Sequence, residues 1–255
     1  LILCDYNLGP GKSGQHILEE VRFRNLIPHQ TLFVMVTAEA SKDMVLSAYD
    51  CEPDDYLMKP LNLQVLEQRI TRLIQIRDSL LNARRLLDAD DLQTATAELK
   101  RLVEERGRHV SLAQKLLGET LIRLHRYSEA ESLYRHVLEN RRVDWAALGL
   151  AKVRYAQGDV QAAKEELEEL IFESRLYLPA HDEMANILEQ EREFEALQAS
   201  VEKAVALCPR SILRQRRLAK VAENNGDMAQ TLRAAGEAMK LGELSCHRDL
   251  ADGLT

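Results

Sequence analysis

Short solid apolar runs and helical periodicity divide this chain unequally. Residues 1–4 (LILC) and 32–36 (LFVMV) are compact apolar runs, and 55–58 (DYLM) is a third short segment. The first two have the solid character of strands covered on both faces, as in a parallel sheet, and the third is a further short strand. Between the first two, SGQHILEEVRFR carries Ile17, Leu18 and Val21 at helical spacing. After the second, SKDMVLSAYDCE reads as a helix with Ser41 as its N-cap. From 62 to 88, Leu66, Ile70, Leu73, Ile74, Leu80, Leu81 and Leu87 fall on one helical face, which predicts one long helix. Strand–helix alternation over 1–76 predicts an open α/β sheet, and the chemistry of such sheets sits at the carboxyl ends of the strands.

From residue 77 the strand patterns stop. Apolar residues recur every three to four positions in short helices separated by polar turns, and the pattern repeats. Leu117, Gly118, Ala130, Tyr134 and Val137 are followed by Gly158, Ala163, Leu167 and Leu170, then by Val201, Ala204 and Pro209, then by Gly226, Ala235 and Ala238. Units near 111–143, 144–177, 178–211 and 212–245 align these positions. A weaker unit near 77–110 carries Ala95, Leu99 and Leu102. The expectation for 77–255 is an all-α solenoid, in which small residues let paired helices approach.

Composition sharpens this division. Of the six prolines, four (Pro10, Pro28, Pro53, Pro60) fall in the first 60 residues, and the next is Pro179. The 255 residues are 45% hydrophobic, ample for a core. With 41 acidic against 34 basic side chains the net charge is −7, a poor basis for gripping phosphate backbones, so no DNA partner is expected. The basic run at Arg210, Arg214, Arg216, Arg217 and Lys220 reads first as a solvated helix face and second as a contact for an acidic partner or RNA. Cys4, Cys51, Cys208 and Cys246 are far apart, which disfavours a zinc site or disulfide framework and suits a reducing cytoplasm. The apolar runs are too short to span a bilayer, and no membrane partner is expected. The histidines form no metalloprotease or triad pattern, and GPGKSG lacks phosphate-loop spacing.

The polar residues at the strand ends carry the candidate chemistry. Asp5 follows the first strand, Thr37 the second and Lys59 the third. A carboxylate can attack a phosphoryl group, while a hydroxyl, a lysine and Mg²⁺ hold and neutralise its oxygens. Taken singly, the same residues read as a strand-end cap, a loop hydroxyl and a surface lysine.

The segments LILCDYNLGPGKSG, VMVTAE and DDYLMKP, in that order, resemble the second half of a response-regulator receiver domain. The resemblance implies a flavodoxin-like parallel sheet with its first strands missing. It makes Asp5 the phosphoacceptor and assigns phosphoryl binding to Thr37, Ala38 and Lys59, with Pro60 following the lysine. Tyr56 becomes the switch aromatic. Asp5 and the backbone carbonyl of Asn7 become metal ligands, and Asn7 and Glu39 tune dephosphorylation. The acidic pair that completes the receiver's Mg²⁺ site would lie upstream of Leu1. Mg²⁺ binding and phosphorylation are therefore expected of the intact parent protein and not of this fragment, and LILC is expected to be a free sheet edge. The chain begins with Leu, and its final HRDLADGLT is too short for a capping helix, so both ends are expected to continue in the natural protein.

The repeats resemble tetratricopeptide repeats. The match is partial, because Gln114 and Ala147 stand where a large residue is usual and Pro209 is the one inter-repeat proline. A different α-solenoid is the alternative. The uninterrupted 62–88 pattern implies a stiff coupling from the last receiver helix into the repeats, or a plain spacer. The resemblance places Lys115, Glu119, Trp145, Leu148, Lys152, Tyr155, Asn186, Arg216 and Lys220 in a partner groove. Trp145, Leu148 and Tyr155 would form an apolar anchor, with inter-repeat packing as the other reading of Trp145. Together these features imply a bacterial two-component response regulator acting as a cytoplasmic signalling adaptor. A sensor histidine kinase or phosphotransfer protein would phosphorylate it, and the repeats would hold a protein or peptide. A homo-oligomer is also among the expected partners. No enzymatic activity is expected beyond self-dephosphorylation. The alternative is a constitutive structural scaffold whose receiver-like part docks without being phosphorylated.

Overall fold

Three short apolar segments build a parallel sheet in the order β1 (Ile2–Asp5), β2 (Phe33–Thr37), β3 (Asp55–Met58). The computed structural model describes residues 1–28, 31–38, 46 and 53–246. The helix expected over SKDMVLSAYDCE lies outside them apart from Leu46, which is helical and buried, and so do Glu39 and HRDLADGLT. The described residues form three strands and twelve helices. By contacts the chain divides into two compact units, Leu1–Leu73 with Leu188–Thr255, and Ile74–Ile187.

In the sheet, Ile2 lies opposite Phe33 and Val34 opposite Asp55. The first two strands run one residue later than their apolar runs. Asp5 and Thr37 still pair, with Val36 and Met58 respectively, so each residue of interest ends a ladder. β2 is buried along its whole length. Phe33 and Met35 pack with Cys4 and with Leu18 of α1 (Gly14–Phe23) on one face. Val34, Val36 and Leu57 meet Leu66 and Leu73 of α2 (Leu63–Ser79) on the other. This two-sided covering is why the central run carries no polar alternation. Among the described residues β1 has no second neighbour, and Leu3 is 44% exposed at that edge.

The helix predicted over 62–88 is two helices, α2 and α3 (Leu81–Asp88). Leu80 leaves helical geometry at φ −109°, ψ 3° and is buried with Ala83 and Leu99. Beside it the Ser79 hydroxyl donates to the Ile76 carbonyl at 2.8 Å, a local bond that competes with helix continuation.

The remaining helices come in pairs. α3 is followed by α4 (Leu92–Glu104), and α5 (Val110–Arg123) by α6 (Tyr127–Asn140). Then come α7 (Asp144–Ala156) with α8 (Val160–Glu173), α9 (Leu178–Gln190) with α10 (Phe194–Leu207), and α11 (Ile212–Asn224) with α12 (Met228–Gly242). Each pair turns through one left-handed residue: Asp90, His125, Gly158, Arg192 and Gly226. Asp91, Asp159 and Asp227 then cap the second helix by accepting from the N–H of Thr94, Ala162 and Gln230 at 3.0–3.2 Å. The fully buried Tyr134 of α6 lies where Gly118 of α5 and Gly149 of α7 leave room for its ring. No described helix is long and apolar enough to cross a membrane.

Candidate functional site

The parallel ladder brings its carboxyl ends to one rim. Asp5 closes β1, Thr37 closes β2, and Lys59 follows β3 with its N–H donating to the Thr37 carbonyl at 2.7 Å. The Lys59 ammonium forms an ion pair with Asp5 Oδ2. Asp5 Oδ1 accepts the Asn7 N–H at 3.1 Å, and Asn7 Oδ1 accepts the Gly9 N–H at 3.1 Å. Gly9 and Gly11 take positive φ in this loop, where a side chain would be strained. The loop ends at Gly14, whose N–H donates to the Tyr6 carbonyl at 2.9 Å. Thr37 is buried, Ala38 is exposed, and the Lys59–Pro60 peptide bond is cis.

The Lys59 hydrogen bond, followed by the Asn7 N–H, holds the Asp5 carboxyl below the ordinary carboxylate value of 3.8. A depressed folded value means that the pair contributes above the unfolded value and is lost as pH falls through the folded one. Lys59→Ala is therefore expected to raise the Asp5 titration midpoint toward 3.8, read from its carboxyl ¹³C shift. An unmoved midpoint would show that the ion pair does not set it.

Tyr56 lies half-buried against the α1 side of the sheet. Its carbonyl accepts from Arg69 of α2 at 2.7 Å, and Arg69 also pairs with Asp55 at 3.3 Å. This tie steadies the strand that carries Lys59, and the sequence reading missed it because Arg69 looks like any exposed helix charge. Glu39 lies outside the described residues.

Among the described residues the rim offers few oxygen donors of the kind magnesium takes. Asp5 and the Asn7 carbonyl supply two donors where an octahedral ion takes six, and Lys59 sits on one Asp5 oxygen. Among the described residues no group of three or more His, Cys, Asp or Glu side chains is placed to hold a metal.

The expected groove residues have varied surroundings. Lys115 faces Glu119 at 4.0 Å, Lys152 pairs with Glu183 at 3.6 Å, and Asn186 donates to Glu183 at 3.4 Å. Leu148 is 8% exposed, because α7 turns it into the core, so it is not an open anchor. Trp145 packs edge-on to Tyr134 with ring centroids 6.2 Å apart, which is inter-repeat packing. Tyr155 is half-buried. In the other unit Arg216 is half-buried and Lys220 exposed. The basic run there is not one solvated face, since Arg214 is buried and Arg217 pairs with Glu189 at 2.7 Å.

An acidic side chain, a hydroxyl and a lysine at the rim of a parallel sheet, followed by stacked helix pairs, define a receiver-type α/β segment joined to a tetratricopeptide-type solenoid. The comparisons with known proteins agree with both parts. The chain is 32% identical over 74 residues to the chemotaxis protein CheY of Pseudomonas aeruginosa, covering 29% of this chain and 58% of that protein. It is 33% identical over 75 residues to the regulatory protein VanRB of Enterococcus faecalis, covering 29% of this chain and 32% of that one. The chain thus spans about half or less of the length of these curated relatives. Among solved structures, a thermophilic TPR protein of Thermus thermophilus matches with TM-score 0.52 and 17% identity, over 70% of this chain and 95% of that one. MamA matches with TM-score 0.50 and 16% identity, over 63% and 94%. These structural likenesses concern the fold. No protein-family model matches the chain.

Proposed function

We propose that this chain belongs to a two-component signalling adaptor, with Asp5 as phosphoacceptor and the helical repeats as a protein-binding output. The observation that carries the reading is the ion pair between Lys59 and Asp5 at the strand-end rim that also bears Thr37. In the proposed step an Asp5 oxygen attacks the phosphorus of a phosphohistidine on a sensor kinase or phosphotransfer protein. The new O–P bond replaces the N–P bond, and the imidazole leaves with a proton. Lys59 and the Thr37 hydroxyl then bind phosphoryl oxygens, and the Ala38 backbone lies beside them. Tyr56 is the side chain that responds, and Asn7 and Glu39 set how long the acyl phosphate lasts.

The magnesium that usually accompanies this chemistry needs oxygen ligands beyond Asp5 and Asn7, so metal binding is proposed only for a longer form carrying an upstream acidic pair. Labelling with acetyl phosphate tests the reading. A form carrying that upstream strand is expected to take one phosphoryl group, lost in Asp5→Asn, while the 255-residue chain stays unlabelled. An unlabelled longer form would leave a docking scaffold instead. Labelling of the 255-residue chain would overturn the magnesium argument.

A further inference from the structure

The first helix is closed at its start by a histidine where a carboxylate or amide is usual. Ser13 is the N-cap of α1, and His16 stands three residues on, at the position that a capping box gives to Glu or Gln. His16 Nδ1 lies 3.0 Å from the Ser13 backbone nitrogen and 2.9 Å from the Ser13 hydroxyl. A backbone N–H can only donate, so Nδ1 carries a lone pair and the ring proton sits on Nε2. This half of the capping box therefore exists only for the neutral ring. Glu or Gln in the same place would accept throughout the range in which histidine titrates.

The cap closes the loop that leaves Asp5. At one end of that loop the Asn7 N–H donates to Asp5 Oδ1 at 3.1 Å. At the other end the Gly14 N–H donates to the Tyr6 carbonyl at 2.9 Å. Ser13 directly precedes Gly14, so its bond to His16 fastens the loop to the first turn of α1.

We propose that His16 is a pH-sensitive latch on this loop, closed while the ring is neutral and released when Nδ1 takes a proton from solvent. The new Nδ1–H would face the Ser13 N–H, two donors with no acceptor between them, and water would replace the ring as the acceptor. The helix dipole also disfavours a cation in the first turn. Among the charges around the ring, Lys12 in the loop and Arg210 just before α11 oppose the cation. Glu19 of α1 favours it, but already accepts from Gln15 at 3.2 Å and from the Ser245 hydroxyl at 3.0 Å. Burial of the half-buried ring outweighs each of these and holds its pKa below the ordinary 6.5. The folded protein thus binds fewer protons here than the unfolded chain. The latch contributes stability above 6.5 and loses it as pH falls through the lower, folded value. It concerns the geometry of the loop and holds whether or not Asp5 takes up a phosphoryl group.

Amide and imidazole NMR of the 255-residue chain, from about pH 7.5 to about pH 5, tests this. The Ser13 amide is expected to shift with the His16 ring nitrogens at one midpoint below 6.5, and its exchange protection to fall about fivefold, the worth of an ordinary cap. The Asn7 amide should move with the same midpoint. Asp5 ionises below 3.8, so its own titration does not produce that change. In His16→Gln, which keeps an acceptor and loses the titration, Ser13 should stay protected and both amides should be flat over this range. In His16→Ala the Ser13 amide should be unprotected throughout, and if that variant does not fold, His16→Gln carries the test alone. A ring that titrates without moving the Ser13 amide overturns the proposal, and so does a ring that stays neutral over the whole range. An Asn7 amide that ignores the His16 midpoint, or follows it equally in His16→Gln, overturns it as well.

Discussion

Gly149→Val is expected to destabilise the Ile74–Ile187 unit by about 3 kcal/mol, the upper end of ordinary overpacking. The reason is one aromatic ring. Tyr134 of α6 is 1% exposed, and a Cβ on either Gly118 or Gly149 would run into that ring. Burial also pushes the Tyr134 phenol pKa up, in keeping with a group sealed from water. A ring so enclosed cannot swing aside, so the helix backbone must move. The sign of the effect is informative. In an exposed helix, replacing glycine gains up to about 1 kcal/mol from propensity alone. Urea unfolding followed by circular dichroism measures the loss. The double variant Gly149→Val with Tyr134→Ala is expected to be more stable than the two single losses predict, with a coupling of about 1 kcal/mol or more. Full stability in Gly149→Val would mean that the ring does not lie between these helices.

The sequence showed the helix pairs where their chemistry is local and hid them where it is not. Gly158 and Gly226 announce two turns, because glycine takes positive φ freely. Asp90, His125 and Arg192 hold the same left-handed conformation without that signal. This is one reason the repeat pattern looks degenerate. The strands were legible because burial on both faces of β2 forbids polar alternation. The break at Leu80 was not legible. A leucine at that position fits the apolar stripe whether the helix runs on or stops, and the break goes with its burial beside Ala83 and Leu99 and with the Ser79 bond to the Ile76 carbonyl.

At the candidate site, residue type and strand-end position were enough to bring Asp5, Thr37 and Lys59 to one rim. What steadies them was less visible. Arg69 works through a bond to a main-chain carbonyl, which leaves no mark in a side-chain pattern. Gly149 escaped because its value lies in what it leaves empty. Trp145 read from the sequence either as a binding anchor or as inter-repeat packing, and its edge-on contact with Tyr134 is the second.

Gly14→Ala is expected to unseat Asp5 while costing the sheet about 1–3 kcal/mol. Gly14 opens α1 directly beneath the end of β1. An added Cβ would collide with the Asp5 carbonyl oxygen and lie 3.0 Å from its carbonyl carbon and 3.1 Å from Cys4 Sγ. None of these atoms yields easily. The Asp5 backbone is paired to β2, and the buried Cys4 side chain packs on Leu18, Phe33 and Met35. The loop between Asp5 and Gly14 must therefore shift, and with it the Asn7 N–H that helps hold the carboxylate. The Asp5 titration midpoint should rise from its depressed position toward 3.8, as in Lys59→Ala. Because the two changes remove different contacts of the same carboxylate, the double variant should titrate higher than either single one. A midpoint unchanged in a folded Gly14→Ala protein would separate the close approach from the acid. A rise without loss of the fold would make this glycine the residue that sets the geometry of the Asp5 carboxylate.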